Sequence, residues 1–156
     1  RRAAGALPPR YKAAMQQDDN TAGQQPVRQY ESAFEWIGGE PAVQALVDRF
    51  YDLMDLEPGY RELRASHGTA LDEARQKLFW FLCGWLGGPD HYISRFGHPR
   101  LKMRHMPFSI GIQERDQWLA CMDQAMAETG VPQGLRVQLQ KSFFNTADWM
   151  RNQAGA

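Results

Sequence analysis

The apolar residues of this chain repeat with the spacing of a helix in every clearly periodic segment after residue 30. Four long stripes show this spacing. Their apolar members are Val43, Leu46, Val47, Phe50, Tyr51 and Met54; Ala74, Leu78, Phe81, Leu82 and Trp85; Trp118, Cys121, Met122, Ala125 and Met126; and Leu135, Leu139, Phe143, Ala147 and Met150. No segment alternates with the period of two that is typical of a half-buried strand. The pattern predicts an all-α fold.

Glycine and proline mark the predicted helix ends. A short apolar turn over 34–37 ends at Gly38-Gly39, and the helix that starts at Pro41 ends at 57–59. Between residues 89 and 112 several glycines and prolines exclude a long helix. We expect a loop there that ends in one or two helical turns around 101–105.

The segment before the second long stripe carries a helix-start signal. Residues 60–68 have no clear period and are expected to be irregular. Thr69 is followed by Asp72 three residues later, which is a variant of the capping box. The sequence therefore predicts a helix that is capped by Thr69 and stops at 87–89, where two glycines precede a proline.

Composition limits the classes of protein that the chain can belong to. Its 156 residues suit one domain, and its 18 basic and 18 acidic residues cancel, which argues against nucleic acid or an anionic membrane as a partner. No apolar run approaches the roughly 20 residues of a membrane span. Cys83 and Cys121 each stand alone in an apolar helical pattern, so we expect buried free thiols and a cytoplasmic protein.

The first part of the chain differs from the rest in composition. Residues 1–28 are rich in Ala, Gln, Pro and Gly and hold almost no large apolar side chains. Such a segment buries little surface. We expect residues 1–28 to form a flexible or loosely docked extension, with 29–156 as the folded domain.

The segment 97–108 is the most informative part of the sequence for function. It reads Gly-His-Pro-Arg-Leu-Lys-Met-Arg-His-Met-Pro-Phe, with His105 next to Arg104 and just ahead of a proline. A lone histidine in such a place is usually a capping or surface residue. Together with Arg49-Phe50-Tyr51 and Glu-Arg-Asp-x-Trp ending at Trp118, however, this segment resembles the group II truncated haemoglobins, and the resemblance covers roughly residues 30–152.

The resemblance implies a truncated globin, a two-over-two helical sandwich around a haem group. Haem b is the expected form, since the chain has no C-x-x-C-H attachment motif. His105 would be the iron ligand, and Arg104 would either meet a haem propionate or remain an ordinary solvated charge. Lys77 would lie where it can meet a propionate. The other expected haem contacts are Leu78, Phe81, Leu82, Tyr92, Met103 and Phe108.

The resemblance also implies which residues face the bound gas. In the family, the residues matched by Tyr51 and Trp118 donate hydrogen bonds to it, and Phe50 lies beside the tyrosine. His67 would add a third polar group, unless it is a loop histidine that faces solvent. Ala74 stands where an ordinary globin has its distal histidine and offers no side-chain hydrogen bond.

The implied function is reversible binding of dioxygen, carbon monoxide or nitric oxide. Several donors would hold dioxygen tightly, which fits oxygen transport poorly and suits nitric oxide or peroxide chemistry with a reductase partner. A monomer and a homodimer both remain open. One alternative is a haem-free helical sensor or interaction module. A zinc site is disfavoured, because glycine and proline interrupt the seven-residue spacing of His91, His98 and His105.

Overall fold

The computed structural model describes residues 30–97 and 111–155, and every regular element within these ranges is helical. Seven α-helices are present there. They are α1 (Ala33–Ile37), α2 (Gly39–Leu56), α3 (Arg61–Ala65), α4 (Asp72–Trp85), α5 (His91–Phe96), α6 (Ile112–Glu128) and α7 (Gln133–Gly155), with a 3-10 turn at Pro58–Tyr60 before α3. The all-α prediction is confirmed for these residues.

The long helices coincide with the apolar stripes, but two short helices were not expected. The segment predicted to be irregular folds into the 3-10 turn and α3, and α5 lies in the glycine- and proline-rich region. Both short helices have fewer residues than two turns need, so apolar periodicity could not distinguish them from loops. The helix predicted around 101–105 lies outside the described residues.

The predicted start of α4 is wrong by two residues. The helix begins at Asp72 with Leu71 at its N-cap, and Thr69 lies before it in a bend. Arg64 explains the difference, because its guanidinium donates to the backbone carbonyl of Thr69 at 3.2 Å and to that of Gly68. Gly68 has a φ of +76°, which favours glycine. Because these carbonyls are bonded to Arg64, the segment 68–69 does not extend α4 toward the N-terminus.

Helix α2 lies at the centre of the fold. It packs against α4 and α6, while α6 packs on α7, α4 on α5, and α3 on α6. Fully buried side chains from α2 and its neighbours form the core, among them Phe50, Leu82 and Met122. Cys83 and Cys121 are buried free thiols, as predicted, and burial raises the pKa of each to about 12. Among the described helices, none has the length and apolarity that crossing a membrane requires.

At the Gly87-Gly88 corner, the end of α4 packs against the start of α1. The Phe34 N–H donates to the Leu86 carbonyl at 2.9 Å, which holds α1 against this corner. A Cβ atom on Gly88 would lie 2.5 Å from the Phe34 ring, and one on Gly87 would lie 2.9 Å from the Cβ of Ser32. The close approach of α1 therefore requires glycine at this corner.

We expect Gly88→Ala to lower the free energy of unfolding by about 1–3 kcal/mol, since the added methyl group overpacks the contact with Phe34. Gly59→Ala is the matched control, because a Cβ there meets nothing within 4 Å. That control should leave stability unchanged or raise it by up to about 1 kcal/mol. Chemical denaturation followed by circular dichroism measures both. Equal stability of the two variants would show that the corner relaxes around a side chain.

Candidate functional site

A cavity of about 430 Å³ is lined by residues of α2, α3, α4, α5, α6 and α7 and of the segment between α3 and α4. Nine of the residues singled out from the sequence line it: Tyr51, His67, Ala74, Lys77, Leu78, Phe81, Leu82, Tyr92 and Trp118. They come from five separate segments, so the fold brings together residues that are far apart in sequence. His105, Arg104, Met103 and Phe108 lie outside the described residues.

Phe50 does not line the cavity, although the sequence analysis placed it beside the gas. Its ring is fully buried and lies edge-on to two cavity residues, 5.0 Å from the Tyr51 ring and 5.3 Å from the Trp118 ring between centroids. Such edge-to-face pairs have a preferred geometry. Phe50 therefore supports Tyr51 and Trp118 from behind, in the core.

Tyr51 presents a protonated hydroxyl at the cavity wall. The hydroxyl donates to the Ala74 carbonyl over 3.4 Å, which is long for a hydrogen bond. Burial raises the pKa of this phenol far above its ordinary value, and the nearby positive charge of Arg75 offsets only part of the rise. The hydroxyl is thus a donor throughout the ordinary pH range, and its present acceptor holds it weakly.

Arg75 fixes Tyr51 by tying α4 to α2. Its guanidinium bonds Asp48 at 3.1 Å and Asp52 at 3.4 Å, both on α2, and lies 5.7 Å from the centre of the Tyr51 ring. Ala74 precedes Arg75 on α4, so the carbonyl that accepts from Tyr51 is held by the same link. Ala74 thus contributes its backbone rather than its side chain.

His67 lines the cavity and is half-buried, so it does not simply face solvent. Its Nδ1 lies 3.0 Å from the Leu63 carbonyl, and its ring is edge-on to that of Tyr51 with 5.9 Å between centroids. A carbonyl oxygen only accepts hydrogen bonds, so this contact places a proton on Nδ1. The Leu63 carbonyl therefore sets both the orientation of the ring and its tautomer.

Trp118 belongs to a cluster of aromatic rings in the cavity lining. Its ring lies 5.3 Å from that of Phe143 on α7, and Phe143 stacks on Trp85 of α4 with 4.8 Å between centroids and a 12° interplanar angle. Within the described residues, the buried Trp85 Nε1 has no hydrogen-bond partner. Trp85, Phe143 and Trp118 thus form a connected aromatic part of the cavity lining.

Charged side chains reach the cavity from α4 and α6. Lys77 pairs with Glu73 at 3.1 Å, and its Nζ lies 5.3 Å from the centre of the Phe96 ring. On α6, Arg115 pairs with Asp116 at 2.9 Å. The lining therefore combines a mostly apolar interior with two cationic groups, Lys77 and Arg115, and two carboxylates, Glu73 and Glu114.

Sequence reasoning missed part of the lining. The residues not assigned to the site were Leu63, Ser66, Ala70, Glu73, Trp85, Glu114, Arg115, Phe143, Thr146 and Ala147. Phe143, Ala147 and Trp85 belong to apolar helical stripes, and their spacing predicts only that they are buried. Helical spacing shows that a face is buried but not whether it meets side chains or a cavity. Glu114 and Arg115 belong to the Glu-Arg-Asp-x-Trp motif, from which only Trp118 was assigned to the site.

Comparison with known proteins shows the family. The model of the bacterial-like globin family matches residues 32–152. Among curated proteins, the group 2 truncated hemoglobin YjbI of Bacillus subtilis (strain 168) is 36% identical over 127 residues, which are 81% of this chain and 93% of that protein.

Solved structures agree in fold. The group II 2-on-2 hemoglobin from the plant pathogen Agrobacterium tumefaciens is 39% identical, with a TM-score of 0.76 over 80% of this chain and 96% of that one. The truncated oxygen-avid haemoglobin from Bacillus subtilis is 36% identical, with a TM-score of 0.71 over 77% of this chain and 98% of that one. The predicted two-over-two sandwich is confirmed, and the chain belongs to the group II truncated haemoglobins, whose globin family implies that it holds haem and binds oxygen or similar small ligands.

Proposed function

We propose that this chain binds dioxygen and other diatomic gases reversibly and holds dioxygen tightly, using haem b with His105 as the iron ligand. The observation that carries the proposal is the meeting of Tyr51, His67 and Trp118 at one largely apolar cavity. The haem iron supplies the position at which a diatomic gas binds. A related structure is described as oxygen-avid, which agrees with tight binding.

The described residues fit a haem group. A volume of about 430 Å³ lies within the roughly 300–1,000 Å³ that is typical of small-molecule and cofactor sites. Leu78, Phe81 and Leu82 offer the apolar surface that a macrocycle needs. Lys77 and Arg115 offer positive charge, which suits the carboxylates of its propionates.

The polar groups of the cavity would stabilise a gas that carries partial negative charge. Tyr51 keeps its proton because it is buried, and its long bond to the Ala74 carbonyl costs little to exchange for a better acceptor. Trp118 has an indole N–H, which can only donate. His67 has its Nδ1 proton directed to the Leu63 carbonyl, so its Nε2 would accept when the ring is neutral and donate when it is protonated.

His105 would supply the imidazole ligand that holds the iron. Arg104 would meet a propionate, and Met103 and Phe108 would contact the macrocycle. These four assignments come from the resemblance of 97–108 to the family. The globin domain would then span 29–156, with 1–28 as an extension that haem binding does not need.

A redox role is the second candidate, and the protonated Tyr51 hydroxyl favours it. A donor that keeps its proton at every ordinary pH can polarise an O–O bond, as nitric oxide oxidation or peroxide use requires. Both nitric oxide oxidation and peroxide use would need a reductase partner. Simple oxygen transport would instead need dioxygen to be held less tightly. A cytoplasmic monomer or homodimer suits both candidates.

We expect His105→Gly to abolish stable haem retention while the chain stays helical. His98→Gly is the matched control from the same segment and should retain haem. Absorption spectra in the Soret region with and without added imidazole measure the effect. If His105→Gly keeps imidazole-ligated iron without added imidazole, His105 is not the ligand. A purified protein that is colourless and gives no Soret band with haemin would instead support the haem-free module.

We expect Tyr51→Phe or Trp118→Phe to speed dioxygen dissociation about tenfold to a hundredfold. A hydrogen bond to a charged or strongly polarised acceptor is worth about 1.5–3 kcal/mol, and about 1.4 kcal/mol corresponds to a factor of ten. Carbon monoxide is a poor acceptor, so its dissociation should change less. Because Tyr51 and Trp118 share Phe50 as a neighbour, the double variant need not be additive.

Stopped-flow dissociation measures these rates. Tyr60→Phe and Trp80→Phe are matched controls. Tyr60 bonds Gln124 at 2.6 Å and Trp80 packs under Arg95, and neither lines the cavity. Both controls should stay within twofold of the parent. Rates that are unchanged within twofold in both Tyr51→Phe and Trp118→Phe would show that these side chains serve only the core.

We expect a chain that starts at residue 29 to bind haem and gas as the full chain does, since 1–28 offers little apolar surface. Haem titration and thermal unfolding of both chains provide the comparison. Loss of haem, or a fall of many degrees in melting temperature, would show that 1–28 is part of the folded domain.

A further inference from the structure

We propose that Gln117 is a positioning residue that clamps α3 to α6 and so sets the separation between the His67 and Trp118 walls of the cavity. Gln117 immediately precedes Trp118 on α6 and is itself half-buried. It does not line the cavity. Its effect on gas binding rests on the proposed function of the cavity.

Gln117 makes two hydrogen bonds to α3. Its Oε1 accepts from the Leu63 N–H at 3.0 Å, and its Nε2 donates to Glu62 Oε1 at 2.8 Å. The N–H groups in the first turn of a helix have no partner within the helix, and Tyr60 at the N-cap of α3 gives no side-chain bond. Gln117 therefore caps α3 from a neighbouring helix.

Leu63 passes this restraint to the cavity wall. Its carbonyl lies 3.0 Å from His67 Nδ1 and accepts from Ser66 Oγ at 2.7 Å, and Leu63, Ser66 and His67 all line the cavity. Both backbone polar groups of the buried Leu63 are thus hydrogen-bonded, the N–H to Gln117 and the carbonyl to Ser66 and His67. A shift of Leu63 toward or away from α6 would carry His67 with it.

A second link between the same segments lies away from the cavity. The Tyr60 hydroxyl donates to Gln124 Oε1 at 2.6 Å, and Gln124 stands two helical turns after Gln117 on α6. Gln124 and Tyr60 do not line the cavity. Gln124→Met therefore removes a comparable side-chain bond between α6 and the turn before α3, and it leaves the bonds of Leu63 in place. This makes it a matched control for Gln117→Met.

The bond to Glu62 gives an independent signal in solution. The Gln117 amide, as the strongest influence, lowers the pKa of the Glu62 carboxyl below its ordinary value. The stabilisation that the ionised Glu62 carboxyl gains from this bond is fully present above its ordinary pKa. It is lost as the pH falls through the lowered pKa. Loss of the amide should therefore raise the pKa of Glu62, which nuclear magnetic resonance can follow.

The experiment uses the full haem-loaded chain and its Gln117→Met and Gln124→Met variants. Three quantities are measured: hydrogen exchange of the Leu63 amide, the nuclear Overhauser effect between the His67 and Tyr51 rings in the carbon monoxide form, and dioxygen dissociation. In Gln117→Met we expect Leu63 to exchange about fivefold to tenfold faster, the ring signal to weaken, and dissociation to change at least threefold. In Gln124→Met, all three should stay within twofold of the parent.

A swapped pair separates positioning from general stability. Glu62→Gln combined with Gln117→Glu reverses donor and acceptor between these two side chains and keeps an acceptor for the Leu63 N–H. It should restore Leu63 protection and dissociation to within twofold, whereas Gln117→Glu alone places two carboxylates together and should not. If Gln117→Met leaves Leu63 protected, or if the swapped pair behaves like Gln117→Met, the proposal is overturned.

The remaining outcomes distinguish this proposal from the function on which it rests. If Tyr51→Phe speeds dissociation and Gln117→Met does not, the positioning proposal fails and the proposed function stands. If none of Tyr51→Phe, Trp118→Phe and Gln117→Met changes dissociation, the proposed function fails. The clamp is then judged on Leu63 exchange and the His67–Tyr51 ring signal alone, and it stands only if both change.

Discussion

The packing of α2 against both α4 and α6 is the interaction on which the rest of the structure depends. The three helices leave a cavity of about 430 Å³ beside the core. Phe50 on α2 makes this possible, because its buried ring braces Tyr51 and Trp118 at once. Cys121 strengthens the contact by donating to the Phe50 carbonyl at 3.3 Å. The cavity keeps its shape because its polar wall rests on rigid aromatic contacts.

Backbone carbonyls orient the polar groups of this wall. Ala74 offers its carbonyl to Tyr51, and Leu63 offers its carbonyl to His67. A buried polar group without a partner costs about 1–3 kcal/mol, so each carbonyl stabilises the group that it orients. The two bonds differ in length by 0.4 Å (3.4 Å against 3.0 Å), which leaves Tyr51 the more readily redirected of the two. Both donors thus have an acceptor, and the Tyr51 hydroxyl is the one that can more readily exchange its acceptor for another.

The sequence predicted the long helices because their stripes are long and regular, and it missed features that depend on contacts between distant residues. Thr69 looked like a helix cap, but Arg64 captures the carbonyls around it. The family resemblance led to Tyr51, His67 and Trp118, since their motifs are specific. It gave no reason to select Gln117, whose role depends on α3 lying beside it, or to separate Phe143 from ordinary core. Local pattern predicts what a residue prefers, and the packing of other segments decides what it contacts.

Helix α3 illustrates how a weak element can control a site. Its five residues are too few to form a stable helix alone, since nucleation is costly and few bonds repay it. Contacts with other segments set its position instead: Gln117 holds its first turn, and its own Arg64 bonds Asp55 at 2.9 Å and donates to the carbonyls of the loop that follows. The Gln117 and Arg64 side chains are both at least partly accessible to solvent. The segment that carries His67 therefore belongs to the less stable part of the fold, where local opening costs least. Side chains outside the cavity, rather than the helix itself, set how firmly this part of the cavity wall is held.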